Sequence, residues 1–217
     1  NPDMSPKWEE ETGSLAEVTF NCLPMEDIPG HVLEVDFANK NVGGGVLAHG
    51  AVQEEIMMAQ SPEMIAARLF TMPLQDNEVL FFSGTRRFSQ TSGYSDTFKF
   101  EGPYTGTKQE RFIVAMDAKE YPDPSKQYEK SEIDRELNKA YSAFFEAAAP
   151  QIATGHWGCG VFGGDKELKS LIQLLAASKA ERGLVFCMAR DLFQKDFTDI
   201  VKLLKNKKVS PGEVYEA

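Results

Sequence analysis

The amino-acid sequence predicts an α/β fold in which a largely parallel or mixed sheet carries helices on both faces. Three observations predict it. Short runs at residues 18–20, 32–38, 79–82, 111–116, 151–155 and 184–188 read as strands, several apolar enough to be buried. In the second half of the chain such runs alternate with helical patterns, the order that builds parallel sheets. Two glycine-rich segments each follow a strand run, and in open α/β sheets ligands bind beyond the carboxyl ends of strands.

The elements follow in order. Residues 1–17 are polar and proline-containing and read as a mobile lead-in to one folded domain over 18–217. Glu54 and Glu55 fall in the first turn of a helix, where acidic residues are favoured by the dipole, with Val52, Ile56 and Ala59 on the expected buried stripe. Ser131 and Asp134 read as a capping box for a helix presenting Ile133, Leu137, Ala140, Tyr141 and Phe144 on one face. Asp165 caps a helix with Leu168, Leu171, Ile172 and Leu175 inward. Phe193, Phe197, Ile200 and Leu204 mark another. Ser210-Pro211-Gly212-Glu213 opens a last helix, expected to be cut short at Ala217.

Composition narrows the function. A length of 217 residues suits one domain with a sizeable core, and 42% hydrophobic with 11% aromatic residues suits a folded globule. With 23 basic against 33 acidic residues the net charge is −10, which argues against a general binder of phosphate backbones such as DNA. Neutral backbone donors can still grip one terminal unit of a polyanion. Cys22, Cys159 and Cys187 are odd in number and widely spaced, so neither a disulfide framework nor a zinc site is expected, and a reducing compartment fits. His31, His49 and His156 lack metal-ligand spacing, and no apolar run reaches the length of a membrane span.

The chemistry-bearing segments are few. Gly43-Gly44-Gly45 follows the second strand run, and Gln53-Glu54-Glu55 comes eight residues later. Glycine lets a ligand approach main-chain N–H groups, and a carboxyl can donate a proton to a leaving oxygen and then activate water. Asp36 sits inside an apolar run, where a buried carboxylate needs partners, while Asn39 at the strand end also reads as a turn residue. Gly158-Cys159-Gly160-Val161-Phe162-Gly163 spells G-x-G-x-x-G, the pattern that receives a diphosphate on glycine amides at a helix N-terminus. A Rossmann-type NAD-dependent oxidoreductase is thus one reading, although the acidic residue it needs would be Asp191, about thirty residues on instead of about twenty. Cys159 near His156 invites a cysteine nucleophile, but nothing else in the sequence fixes a base or an orienting carboxylate beside them.

Taken in order, Glu34-Val35-Asp36-Phe37-Ala38-Asn39, the triple glycine, Gln53-Glu54-Glu55, Ser61-Pro62-Glu63-Met64-Ile65 through Arg68-Leu69-Phe70, Ser92-Gly93-Tyr94, Glu136-Leu137-Asn138-Lys139-Ala140-Tyr141 and the run from Thr154 to Asp165 resemble the poly(ADP-ribose) glycohydrolase family. The resemblance runs from about Met25 to Tyr215, and the helical segment that precedes this part in the family is expected to be missing from these residues. It implies a macrodomain-like core that hydrolyses ribose–ribose O-glycosidic bonds of poly(ADP-ribose), mainly from chain ends, releasing ADP-ribose. Poly(ADP-ribose) and ADP-ribosylated proteins are the implied substrates, with no metal or organic cofactor, no direct DNA binding and no membrane. The implied setting is intracellular, nuclear or cytoplasmic, in the response to DNA damage.

By the same resemblance Glu55 is the general acid/base, Glu54 orients the ribose and Asp36 positions the scissile ribose. Asn39 is a ribose ligand, and Gly43, Gly44, Gly45 and Gln53 belong to the substrate site. Tyr94 closes over bound ADP-ribose, with Gly93 allowing the motion. Met25 packs on the adenine and Glu26 accepts from its exocyclic amine. His156 and Trp157 belong to the substrate site, and Gly158, Cys159, Gly160 and Val161 to the diphosphate loop, with Phe162 near the distal ribose. The sequence departs from the family pattern at His156, where Asn is common, at Thr91, where a tyrosine can occur, and at Ala189, where an aromatic can stack on adenine. A macrodomain that only binds ADP-ribose is the remaining alternative.

Overall fold

The computed structural model describes residues 6–107, 110–188 and 192–217. Its strands are β1 (Val18–Asn21), β2 (Val32–Ala38), β3 (Leu80–Arg86), β4 (Ser89–Ser92), β5 (Lys99–Pro103), β6 (Glu110–Asp117), β7 (Gln151–Thr154) and β8 (Gly183–Cys187). Its α-helices are α1 (Gln53–Gln60), α2 (Lys130–Phe145), α3 (Lys166–Lys179), α4 (Leu192–Asn206) and α5 (Pro211–Glu216). Six strands form one sheet in the order β1-β8-β7-β2-β6-β3, parallel throughout except for β3 against β6. The expected mixed sheet is thus present. Its order is not the 3-2-1-4-5-6 of the dinucleotide-binding fold, and Asp191 lies outside the described residues. The β4–β5 hairpin has no counterpart in the sequence reading, because its mostly polar strands lack an apolar alternation.

Alternation along the strands sorts the core into two layers. Leu33 and Val35 of β2, Val114 and Met116 of β6 and Phe186 of β8 pack with Leu137 and Phe144 of α2, with Ile172 and Leu175 of α3 and with Phe197 of α4. Val32 and Ala38, Ile113 and Ala115, Ala153 and Val185 point the other way, against Met57 and Met58 of α1 and Met64 in the 3-10 stretch Pro62–Leu69. Helices therefore cover both faces. The chain leaves β2 toward α1 on one face and leaves β7 toward α3 on the other. β2 pairs with β7 only through Glu34, whereas its pairing with β6 runs to Ala38. Adjacent strands whose connections depart in opposite directions leave a crevice at their carboxyl ends.

Gln53 closes the backbone that this divergence exposes. Its Oε1 accepts from Phe37 N–H at 2.8 Å, and its Nε2 donates to the Val35 carbonyl at 3.0 Å. The side-chain amide stands where the next strand's peptide would have been, as a buried backbone requires.

Several local expectations change. The buried residues of α1 are Glu54, Glu55, Met57, Met58 and Gln60, while Val52, Ile56 and Ala59 are only partly covered. The reason is tertiary: the two carboxylates find backbone donors inside the fold. Helix α2 begins at Lys130 with Glu129 as its N-cap, so Ser131 lies inside the first turn, Asp134 lies beyond it, and they form no box. Ile200 on α4 is 44% exposed, and Val201 takes the inward place. The caps of α3 and α5 form as expected: Asp165 accepts from Leu168 N–H at 2.8 Å, and Ser210 and Glu213 bond reciprocally.

The lead-in is a larger correction. Trp8 is 3% exposed, donates from Nε1 to Asn138 Oδ1 at 3.0 Å and meets the Tyr141 ring edge-on at 5.9 Å. Leu15 is buried too, and Gly212 at the start of α5 seats its N–H on the Glu11 carbonyl. Residues 6–17 thus pack on the α2 face and close the far end of the chain against it. Trp8→Ala is expected to lower unfolding stability by about 3–5 kcal/mol, the cost of emptying a buried indole site. Urea denaturation measures this, and an unchanged midpoint would return the segment to a loose lead-in.

Candidate active site

A cleft of about 940 Å³ opens at the crevice between β2 and β7. Its walls come from the loop after β2, the start of α1, Arg68 and Thr71, Tyr94, and the loop from His156 to Phe162, with Lys166 beyond it. Both glycine-rich loops therefore reach one site.

The first loop does not present its amides to the cleft. Gly43 N–H donates to Glu54 Oε1 at 2.5 Å, Gly45 N–H to Glu55 Oε1 at 2.8 Å, and Gly44 N–H to the Asn41 carbonyl at 3.1 Å. The expectation that a ligand approaches these main-chain N–H groups is corrected accordingly: those of Gly43 and Gly45 hold carboxylates. The remaining oxygens are held as well, Glu54 Oε2 by Asn39 N–H at 2.9 Å and Glu55 Oε2 by Val52 N–H at 3.0 Å. Glycine is required at Gly44, where φ is +44° and a Cβ would lie 2.5 Å from Glu55 Oε1. Gly50 is equally constrained, since its Cβ would stand 2.7 Å from Glu55 Cδ. Arg68 seals the turn from outside, donating to the Gly44 carbonyl at 2.7 Å.

Burial pushes Glu54 up to about 7, against the lowering effect of the Asn39 and Gly43 N–H bonds and with the help of neighbouring Glu55. Asp36 lies on the α1 side of β2, wholly buried, and neither carboxylate oxygen has a hydrogen-bond partner among the described residues. Its carboxyl is raised well above the usual range, first by burial and then by Glu54, with Arg111 opposing. Arg111 is itself committed to Glu34 at 2.6 Å and to Ser61 Oγ at 3.1 Å. Tyr94 is 54% exposed at the rim, and partial burial raises its phenol, with the Gln53 backbone opposing.

The second loop is built differently. Cys159 N–H bonds the His156 carbonyl, and Gly163 and Gly164 bond back to Gly160 and Gly158. Among the described residues nothing takes up the N–H groups of Gly160, Val161 and Phe162, which lie ahead of the α3 N-terminus. Donors of this kind receive anions. Cys159 is mostly buried, and burial pushes its thiol up to about 12, which disfavours the thiolate a nucleophile needs.

Of the residues singled out from the sequence, Asn39, Gly44, Gly45, Gln53, Glu54, Glu55 and Tyr94 line the cleft, as do His156, Gly158, Cys159, Gly160, Val161 and Phe162. Five do not. Gly43 faces Glu54 and Arg68, and Asp36 lies beneath the wall. Trp157 is a core residue, fully buried, with Nε1 donating to the Met116 carbonyl at 3.0 Å. Met25 is buried in the α1-side core, and Glu26 accepts from Gln60 Nε2 at 2.6 Å. Gln60 also donates to Thr91 Oγ1, so a polar contact occupies that departure from the family pattern. His156 meets the Phe193 ring edge-on at 4.9 Å, and Ala189 lies outside the described residues. The sequence reading missed Phe37, Asn41, Val42, Gly50, Val52 and Thr71 in the lining, and above all the cations Arg68 and Lys166. Only the position of Arg68 inside a quoted motif, and of Lys166 one residue after a helix cap, could have signalled them. Among the described residues no three His, Cys, Asp or Glu side chains gather to hold a metal ion.

Comparison with known proteins bears on the whole arrangement. A family model described as poly(ADP-ribose) glycohydrolase, Macro domain fold, matches residues 5–195. Poly(ADP-ribose) glycohydrolase 1 of Caenorhabditis elegans is 34% identical over 226 residues, covering 93% of this chain and 29% of that protein. Poly(ADP-ribose) glycohydrolase 1 of Arabidopsis thaliana is 32% identical over 256 residues, covering 82% of this chain and 46% of that one. The chain thus spans less than half the length of these curated relatives. A crystal structure of a Deinococcus radiodurans poly(ADP-ribose) glycohydrolase variant in complex with ADP-ribose superposes with a TM-score of 0.53 at 13% identity, over 94% of each chain, a likeness of fold.

The buried carboxylates give a pH signature. Asp36 has a folded pKa above its unfolded value, so the folded state holds the extra proton. Its contribution is present below about pH 4 and is lost as pH rises. Asp36→Asn is therefore expected to gain stability over the parent chain as pH rises above about 4, with the gain largest in the alkaline range. Urea unfolding of both proteins across pH checks this. A difference independent of pH would mean that Asp36 is not held protonated by its surroundings.

Proposed function

The chain belongs to the poly(ADP-ribose) glycohydrolase family, and from that premise we propose that it hydrolyses the ribose–ribose glycosidic bonds of poly(ADP-ribose), mainly from chain ends, releasing ADP-ribose. One observation carries the reading: Glu54 and Glu55 are held by main-chain N–H groups in the same cleft as a loop whose Gly160, Val161 and Phe162 amides are unengaged among the described residues. A diphosphate seated on Gly160, Val161 and Phe162, with Lys166 nearby, leaves the distal ribose of a terminal unit directed toward the glutamates.

Glu55 is the acid/base of this proposal. As an acid it gives its proton to the oxygen leaving the anomeric carbon. The resulting carboxylate takes a proton from the water that attacks that carbon, which restores the acid. Consecutive helix residues point roughly 100° apart, so Glu54 and Glu55 do not make the paired carboxylates of a two-residue glycosidase. Glu54, anchored by both oxygens, orients the ribose. Asp36, wholly buried beneath the wall, acts from below that end of the cleft to position the scissile ribose. The reaction as proposed needs no cofactor, and ADP-ribosylated proteins carrying the polymer are its natural substrates. A protein that merely bound ADP-ribose would have no use for buried acids held at this end of the cleft. The NAD-dependent reading leaves the whole segment from Gly43 to Glu55 without a task.

Glu55→Gln keeps the shape of the side chain but cannot cycle a proton. Its expected effect is a 10²–10⁴-fold loss of polymer cleavage, by order of magnitude, with ADP-ribose binding largely retained. Rate assays paired with calorimetry on the same variant decide it, and near-normal turnover would remove Glu55 from the role.

Gly160→Val tests the second loop. A Cβ at Gly160 meets nothing within 4 Å, so the variant is expected to fold normally while its side chain covers the neighbouring amides. ADP-ribose affinity should drop by about tenfold or more, as expected when donors to a charged group are blocked. Unchanged affinity in the folded variant would place the diphosphate elsewhere.

A further inference from the structure

Beneath the second glycine loop lies a set of buried ionic side chains for which the proposed chemistry has no task. Arg135 of α2 bridges Asp117 of β6 at 2.8 Å and its neighbour Glu136 at 2.6 Å. Lys139 of α2 stands 2.7 Å from Asp117, and Lys169 of α3 is in contact with Glu136. All five side chains are nearly inaccessible to solvent. Three cations therefore face two carboxylates, since Asp76, the further partner of Arg135 at 3.3 Å, is out in solvent.

Lys169 is the cation that reaches the loop. Its side chain runs back toward the helix N-terminus, as helical side chains do. Its ammonium lies 3.9 Å over the centre of the Trp157 ring. A Cβ at Gly158 would stand 3.3 Å from its Nζ, and one at Gly164 would stand 3.1 Å from its Cε. Stability alone does not account for a lysine here. It is buried, it sits near the positive end of a helix, and Arg135 repels it. Burial first and Arg135 next hold it well below the usual lysine range, with Asp117 opposing. An apolar side chain would meet none of these costs, and buried ion pairs are often no more stabilising than apolar replacements.

We propose that Lys169 is the counter-charge of the ligand's diphosphate, acting from beneath the loop that binds it. The proposal rests on the functional reading above, which seats a diphosphate on Gly160, Val161 and Phe162. Charge in the low-dielectric layer under the loop acts on an anion docked above it, whereas the net charge of −10 is screened within about 10 Å of the surface. Such a cation attracts one seated diphosphate without making the protein a general binder of polyanions. An arriving diphosphate also opposes the influences that weaken the proton on Lys169, so that ligand and proton are held together. The charged groups facing that proton are Glu136, Arg135 and Lys139 from α2 and Asp117 from β6.

Calorimetric titration of the 217-residue chain with ADP-ribose, on the acid side of neutrality, tests this with two substitutions of opposite expected sign. Lys169→Met keeps length and packing, and is expected to lower affinity by about tenfold or more. Glu136→Gln removes a buried negative charge beside the same loop, and is expected to leave affinity unchanged or raise it. A purely structural ion pair predicts the contrary, a similar loss in both, because each substitution breaks the same contact. Similar losses, or parent-like affinity in Lys169→Met, would overturn the proposal and leave the Glu55 chemistry standing. Failure of the parent chain to bind ADP-ribose would overturn both. Thermal unfolding shows whether Lys169→Met folds. Should it not, Glu136→Gln decides alone, weaker binding overturning the proposal and equal or tighter binding supporting it.

Discussion

The site depends on how the N-terminus of α1 is tied to the sheet. Three consecutive side chains, Gln53, Glu54 and Glu55, accept main-chain N–H bonds from Phe37, Asn39, Gly43, Gly45 and Val52. The far end of the same helix is held by Arg111, which reaches Gln60 and Ser61 from the sheet. A helix of eight residues has little stability of its own. Here its position is set by bonds to a strand end and to the turn that follows it. The crevice stays open because Gln53 satisfies β2 where β7 departs, and the glutamates face that crevice because the glycine turn supplies their donors.

This coupling explains why acids can be buried there at all. Taking a carboxylate out of water is costly unless hydrogen bonds replace the solvent. Glu54 and Glu55 each receive two such bonds, and Glu54 is still raised to about 7. Asp36 receives none among the described residues, and burial, with the charge of Glu54 next, raises its carboxyl well above the usual range. The loss of stability with rising pH that follows is the thermodynamic counterpart of a proton available for transfer.

What could be read in the sequence was what local chemistry decides. The cap at Asp165 and the reciprocal cap at Ser210 involve partners within a few residues, and the apolar run of β2 marks a buried strand by its own composition; all three form. The packing of Trp8 could not be read, because its partner Asn138 is 130 residues away. The buried face of α1 was misread for a related reason: the hydrophobic pattern places Ile56 inward, while the glutamates go in because distant amides receive them. The hairpin β4–β5 carries no apolar alternation to announce it. Within the site, the glycine and glutamate motifs were legible because few other residue types could take their places. Trp157 was not, since a loop aromatic beside glycines looks the same whether it meets a ligand or anchors the loop from below. Arg68 and Lys166 look like ordinary surface charges until the cleft is seen between them.

The two glycine-rich loops use one residue type for opposite ends. In the first, positive φ at Gly43 and Gly44 turns the amides inward onto carboxylates, so that the glycines serve acid placement. In the second, a lysine and a tryptophan beneath the turn fill the space on the inner side, and the amides of Gly160, Val161 and Phe162 have no acceptor among the described residues. Counting glycines does not distinguish the cases. What distinguishes them is the acid that follows: Glu54 and Glu55 give the first turn an internal acceptor, whereas the second turn is followed by Asp165, which is engaged in capping α3. The loop that keeps three successive amides without an acceptor among the described residues is the one left to bind an anion from outside, and the buried cation beneath it fits that division of labour.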